Sequence, residues 1–466
     1  MRLKHSVLFL SVACILFAGY PSFAEEVVSP VEQTPPSSDF STESMLTGDW
    51  SGERQTLHDR GLDLSATGIT EVFGNTSGGT RRGVIEEGRL EMDASVNFEK
   101  AFSWQGLTAF VSAYAIQGRG LSGNKLSNIM TVSNIEATRT LRLFDLWAQK
   151  NFNDDKVSIR VGQLAADDEF TTSQYAATFI SSVFGWPSSL ATNLPSGGPA
   201  YPLATPGARL RLGNAAPWTL LTAVFDGDPG GKGNEIDPQR RNLNGTAFNL
   251  DRGAFVMNEV SYSRNGGKED AGLSGTYKLG LWYHTENFAD LRYDKEGRSL
   301  SNPMSSGMAR IHHGNYGLYG VVDQALWNNL DAPDQSLGAF ARVFWNPADR
   351  NAASYQIDGG VNVKGLIDGR PDDVLGLGGS FIGLSGFASG ADRDANSYSG
   401  TTAPVRDYES EIEVTYQAPL TPWLSVQPDF QYVMHPGGTI ANPNIATGST
   451  PIKDAAILGL RMTAKF

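Results

Sequence analysis

Apolar and polar residues alternate one by one along most of this chain. The clearest stretch interleaves Leu90, Met92, Ala94, Val96 and Phe98 with Arg89, Glu91, Asp93, Ser95, Asn97 and Glu99. A period of two places successive side chains on opposite faces of an extended strand, here one greasy and one charged. In a soluble sandwich the apolar face would meet a core. In a transmembrane barrel it meets lipid, and the charged face meets a wet lumen. One strand does not separate these readings, but the whole set does. About sixteen such segments recur, most near the length a tilted strand needs to cross a bilayer. They begin near 62, 88, 106, 141, 157, 207, 218, 254, 275, 314, 337, 354, 373, 408, 423 and 455.

The connections tend to alternate in length. Short ones are expected at 101–105, 151–156, 214–217, 328–336, 367–372 and 419–422, and long ones at 118–140, 227–253, 285–313, 385–407 and 435–454. Short periplasmic turns and long outer loops are the outer-membrane arrangement, and an even strand count returns both ends to the periplasm. The last segment alternates through Ala456, Leu458, Leu460, Met462 and Ala464 to a terminal aromatic, Phe466. Left unpaired, such an apolar edge invites aggregation; closure against the first strand removes it. A strand ending this way also suits recognition by the barrel assembly machinery of the outer membrane. The expected fold is therefore an all-β transmembrane antiparallel barrel of about sixteen strands over 62–466.

Composition and the first residues sharpen this picture. Arg2 and Lys4, an apolar stretch from Ser6 to Ala18 and the small-residue pattern Ser22-Phe23-Ala24 read as a signal peptide over 1–24. A permanent transmembrane helix would need a longer apolar run than Pro21 and Glu25-Glu26 allow. The single cysteine, Cys14, lies inside this segment, and Ser11 replaces the usual Leu of a lipid-attachment site. Residues 25–45, with Pro30, Pro35 and Pro36, are expected to be a disordered periplasmic leader. Residues 46–61 are expected to hold a short periplasmic helix stopped by Gly61. The net charge of −13 argues against nonspecific nucleic-acid binding.

A barrel of sixteen strands is too wide for its own side chains to fill, so it encloses an aqueous channel unless something folds in. The third long connection, about 166–206, is the longest, and loops of that size usually carry function. It is expected to fold into the lumen and form the constriction, lined by Asp167, Asp168, Glu169, Phe184, Trp186 and Tyr201. The alternative is a lid over the mouth. Inward positions mix charge: Arg89 with Glu91 and Asp93, Arg160 with Gln163, then Arg342, Glu411 and Glu413. Mixed charge favours polar neutral solutes over ions of one sign. Trp186 and Trp282 could offer sugars an aromatic platform, whereas Trp345 and Trp423 read as membrane-interface girdle. Catalysis finds little support. His312, His313 and His435 are expected on long loops without carboxylates at metal-ligand spacing, and neither a metal nor a cofactor is expected.

At this point the chain resembles the carbohydrate-selective porins of the OprB family from about Leu46 to Phe466. The resemblance is carried by Leu46-Thr47-Gly48-Asp49-Trp50-Ser51-Gly52, by Arg160 to Phe170 (RVGQLAADDEF) and by Phe184-Gly185-Trp186-Pro187. It continues in Pro206-Gly207-Ala208-Arg209-Leu210, Tyr277 to His284 (YKLGLWYH), Gly314 to Gly320 (GNYGLYG) and Gly369-Arg370-Pro371-Asp372-Asp373. It implies a sixteen-stranded barrel with a narrow entry for glucose and related sugars moving passively down their gradient, and a constriction bordered by Gly162 to Trp186. The candidate constriction residues are then Arg89, Glu91, Arg160, Gln163, Asp167, Asp168, Glu169, Trp186 and Arg209. A general diffusion porin with mild cation preference is the alternative function, and an outer-membrane enzyme or adhesin a third. The expected partners are small sugars and polar solutes, outer-membrane lipid and the assembly machinery, as a monomer or a trimer.

Overall fold

A computed structural model describes residues 41–213, 217–265, 272–329, 332 and 334–466. The expected signal peptide with Cys14, the leader as far as residue 40 and most of the 214–217 turn lie outside these residues. Sixteen strands form one closed sheet. They are β1 (Leu62–Gly79), β2 (Gly83–Asn97), β3 (Leu107–Gly118), β4 (Thr140–Phe152), β5 (Val157–Leu164), β6 (Thr205–Leu212), β7 (Trp218–Asp226) and β8 (Ala254–Arg264). The second half is β9 (Gly275–Asp294), β10 (Ala309–Asn328), β11 (Ser336–Trp345), β12 (Ala353–Lys364), β13 (Val374–Leu384), β14 (Tyr408–Thr421), β15 (Leu424–Met434) and β16 (Lys453–Lys465). Each strand pairs antiparallel with its sequence neighbours, and β16 closes on β1 from Thr67↔Lys465 to Gly79↔Lys453.

Burial is inverted relative to a soluble protein. Leu279, Val84 and Leu458 are 70%, 67% and 56% exposed, whereas Glu413, Arg342 and Glu91 are 0%, 1% and 2% exposed. Alternation sends the leucines and valines outward to lipid and the charged groups inward, as a membrane barrel requires. Outward aromatic rings collect at both ends. Trp218 lies against Tyr262 (4.8 Å) and Tyr262 against Tyr277 (6.4 Å) at the short-turn end, and Tyr316 lies near Trp345 (6.2 Å) at the other. Phe466 exchanges backbone hydrogen bonds with Ala66, and its ring covers Gly68. The expected N-terminal helix spans Glu53–Asp59, and Gly61 beyond it adopts φ +83°, against the backbone of Asn97.

Three expectations need correction. β2 begins at Gly83 instead of near 88, because pairing with β1 continues through Phe73↔Ile85 although Glu86 and Glu87 break the alternation. The long connection at 285–313 shrinks, since β9 runs to Asp294 and β10 starts at Ala309, both paired beyond the apolar belt. His312 and His313 therefore lie on β10 and not on a loop, and the fold brings carboxylates to His312: Asp290 at 3.0 Å and Asp349 at 3.7 Å. Even so, no group of ligands fit to hold a metal ion occurs among the described residues.

Candidate functional site in the barrel lumen

The connection between β5 and β6 (165–204) folds inside the barrel, and the inner wall is built to receive it. Backbone N–H groups of the loop need acceptors away from bulk water, and strand carboxylates supply them. Glu259 accepts from Thr171 N (3.0 Å), Asp323 from Ser173 Oγ (2.5 Å) and Glu413 from Ile180 N and Ser181 N (2.6 and 3.0 Å). Loop carbonyls are taken by strand donors. Arg342, also bound to Asp358 at 2.8 Å, donates to Thr171 O, Val183 O and Gly185 O; Asn362 donates to Tyr175 O and Gln427 to Thr178 O.

Glycines on the wall seat the loop's rings. A Cβ on Gly338 would lie 2.0 Å from Tyr175, and one on Gly378 would lie 2.8 Å from Phe179. Phe170, Leu190 and Leu194 of the loop pack on Phe225, Phe255, Met257, Trp282 and Phe344 of the wall. These contacts run from β7 to β15, Ile180 of the same loop packs with Phe73 of β1 and Ile457 of β16, and the β2–β6 wall carries a set of charged groups besides.

On that side the antiparallel register puts Gln149, Arg160 and Arg209 in one line across β4, β5 and β6, and Glu91 opposite Tyr114 on β2 and β3. Arg160 lies 3.9 Å from the centre of the Trp147 ring and donates to Gln149 Oε1 at 3.0 Å. Arg209 donates to the same oxygen (2.9 Å), to Ser158 Oγ (2.7 Å) and to Glu169 Oε2 (2.7 Å), and Arg160 reaches that carboxylate at 3.6 Å. Burial would push the Glu169 carboxyl up, but Arg160 and Arg209 outweigh it and bring it down to about 2. A second cluster pairs Arg89 with Glu91 (2.8 Å), Glu91 accepting from Tyr114 Oη (3.3 Å), with the Arg89 guanidinium over the rings of Tyr114 (4.6 Å) and Tyr201 (5.2 Å). Asp167 accepts from Tyr201 N (3.0 Å), and burial pushes its carboxyl up to about 6.

The sequence-derived residues thus separate. Arg89 with Glu91, and Arg160 with Glu169 and Arg209, are brought together; Asp167 joins the first cluster through Tyr201, and Asp168 is half-buried beside it in the chain. Gln163 holds the wall itself, donating to Phe144 O and Gly245 O. Trp186 packs at the edge of the loop's apolar cluster and spends its indole N–H on Gly197 O (2.9 Å). Two expectations fail. Phe184 is 3% exposed between Phe179 and Phe340, and Trp282 is 1% exposed beneath the loop, so neither presents a face to a solute. Sequence reading passed over Tyr114, Trp147, Gln149 and Ser158, although all occupy inward positions of the two-residue period.

A closed sixteen-stranded barrel with lipid-facing leucines, a polar lumen and an inserted loop is an outer-membrane channel of the porin class. The family model described as carbohydrate-selective porin, OprB family, matches residues 81–466, and the chain belongs to that family. It is similar to Porin B of Pseudomonas aeruginosa, 23% identical over 418 residues, covering 84% of this chain and 87% of that one. The putative porin QuiX of Acinetobacter baylyi is also 23% identical, over 446 residues, 90% of this chain and 93% of that one. The high-pH structure of Pseudomonas putida OprB superposes with a TM-score of 0.78 at 22% identity, covering 92% of this chain and 99% of that one. The low-pH structure of the same protein gives 0.55 at 17% identity, with 92% and 100% covered.

Proposed function

We propose that the channel passes small neutral carbohydrates of the glucose type, and that its solute track runs along the β2–β6 wall past the half-buried Asp167, Asp168 and Glu169, with the buried Arg89, Glu91, Arg160 and Arg209 beside them. The observation that carries this reading is the make-up of that wall. Guanidinium and carboxylate groups are already paired there, and aromatic rings lie beside them. Paired charges offer hydroxyl groups both donors and acceptors while presenting little net charge to an ion. Porin B and the carbohydrate-selective description of the family lend support from outside the geometry.

Planar-bilayer conductance with added glucose tests it: the expected result is a saturable fall in current, and current indifferent to glucose overturns it. The second reading, a general diffusion porin with mild cation preference, is favoured by the carboxylates of Asp93, Asp167 and Asp168, for which no ion pair within 4.0 Å occurs among the described residues. A salt-gradient reversal potential strongly favouring cations, with no sugar block, would select it. We further infer that the signal peptide is removed, that the strand ending at Phe466 is read by the assembly machinery, and that oligomeric state, monomer or trimer, is decided by mass measurement in detergent.

A further inference from the structure

The long-loop rim carries a feature that solute passage does not use. Where β16 meets β1 and β2, four basic residues gather: Arg81, Arg82, Lys125 and Lys453. Lys453 is opposite Gly79 in the β1–β16 register. The backbone N–H groups of Thr80 and Arg81 donate to Lys125 O at 2.8 and 3.1 Å, and Arg81 Nε donates to Asn124 O at 3.0 Å. The Lys125 ammonium rests on Gly83, where a Cβ would lie 2.8 Å from it. Arg81, Arg82 and Lys453 are exposed, and none of the four forms an ion pair among the described residues.

Beside this cluster lies an open cavity of about 420 Å³ lined by His435, Thr439, Pro451, Ile452, Lys453 and Asp454. From His435 a strip of stacked rings continues along the rim: His435 on Tyr408 (4.2 Å), Tyr408 on Phe381 (4.9 Å) and Phe381 on Tyr355 (5.8 Å). Tyr355, Phe381 and Tyr408 share the outward register of Ile357, Leu377 and Ile412, which face lipid. The nearby carboxylates are mostly engaged. Asp407 accepts from Thr439 and faces His435, and Asp454 accepts from His435 N at 2.9 Å; Glu86 stays exposed on β2. In a chain of net charge −13, this concentration of unpaired cations is local. It lies at headgroup level, where outward rings mark the interface and basic pockets recognise phosphorylated headgroups.

We propose that this sector binds a phosphorylated glycolipid of the outer leaflet. Arg81, Arg82, Lys125 and Lys453 take the phosphate, the cavity beside His435 takes the sugar that carries it, and the Tyr408–Phe381–Tyr355 strip lies along the boundary with the acyl chains. The site is independent of the solute read by the lumen.

The test uses the full chain purified in detergent and a bisphosphorylated acylated disaccharide lipid, with bound lipid counted by native mass spectrometry. The native protein is expected to retain lipid through delipidation. R81Q/R82Q/K125Q/K453Q is expected to bind it roughly tenfold more weakly or worse, while K295Q/R310Q/R393Q, altered away from this sector, matches the native protein. The dephosphorylated lipid is expected to bind native protein as weakly as the phosphorylated lipid binds the fourfold variant, and this arm decides the matter if that variant does not fold. Equal retention by the fourfold variant, or indifference to the lipid's phosphates, overturns the proposal. So does displacement of the lipid by millimolar inorganic phosphate, which would mean a simple anion site, or a lipid-free dimer held through this face.

Discussion

Glu169 holds the most informative position in the lumen because one carboxylate serves two guanidiniums. Arg209 binds it at 2.7 Å and Arg160 at 3.6 Å, on a wall where both arginines are more than nine-tenths buried. Removing one member of a buried charge set leaves the others uncompensated, at a cost of about 3–5 kcal/mol. Glu169→Gln should therefore add positive field to the lumen: the salt-gradient reversal potential moves toward anions and glucose block weakens several-fold. An unchanged reversal potential would place Glu169 outside the current path. The neighbouring carboxyls behave differently with pH. A carboxyl held down at about 2 loses its charge only as pH falls through that value, so Glu169 stays ionised at any working pH. Asp167, raised to about 6 by burial, takes up its proton between about pH 7 and 5. Cation preference measured by reversal potential should fall across that window in the native channel and fall less in Asp167→Asn.

At the scale of elements, the inserted loop is held by fitted pairs between wall and loop. Gly338 is the sharpest, since any β-carbon there would collide with the Tyr175 ring at 2.0 Å. Gly338→Val should cost roughly 1–3 kcal/mol by overpacking and lift the loop around Tyr175, seen as a larger, noisier single-channel current from a barrel that still migrates as folded. A quiet current of native size would mean that the wall yields instead. Such pairings explain what the sequence disclosed and what it hid. Strand positions were legible because a period of two is local: β5, β7, β8, β9 and β14 begin where the alternation begins. β2 and β10 start earlier than the pattern because pairing outruns the lipid belt, and above it no solvent difference enforces alternation. Arg89, Arg160 and Glu91 were legible as inward groups for the same local reason. Tyr201, Glu169 and Arg209 were named as well, but not their pairing, because Tyr201 reaches Arg89 and Glu169 reaches Arg209 only after the loop has folded inward. Trp282 shows the converse: the period correctly turns it inward, but nothing local announces that Phe170 and Leu194 will cover it.

For the whole molecule, closure and selectivity are separable. All sixteen strands are hydrogen-bonded to two neighbours, and β16 completes the ring on β1, so no backbone edge depends on the inserted loop. Outward leucines and valines meet lipid whether or not the lumen is filled. The loop instead fills part of a lumen that sixteen strands leave wide, packing on β7–β15 and setting Glu169 and Tyr201 against the paired charges of the β2–β6 wall, along which the proposed solute track runs. Excising residues 175–198, with a short Gly-Ser bridge between the stubs, should therefore leave an inserted, heat-resistant barrel. Its conductance should rise several-fold and its block by glucose should vanish. It would also uncover Glu413, which now accepts from Ile180 N and Ser181 N of the excised segment, and that exposed carboxylate should turn the widened pore toward cations. A deletion variant that cannot insert would instead make the apolar packing of Leu190 and Leu194 a condition of barrel assembly. The change in ion preference distinguishes the two roles most cleanly, because a merely wider pore would gain current without gaining a sign.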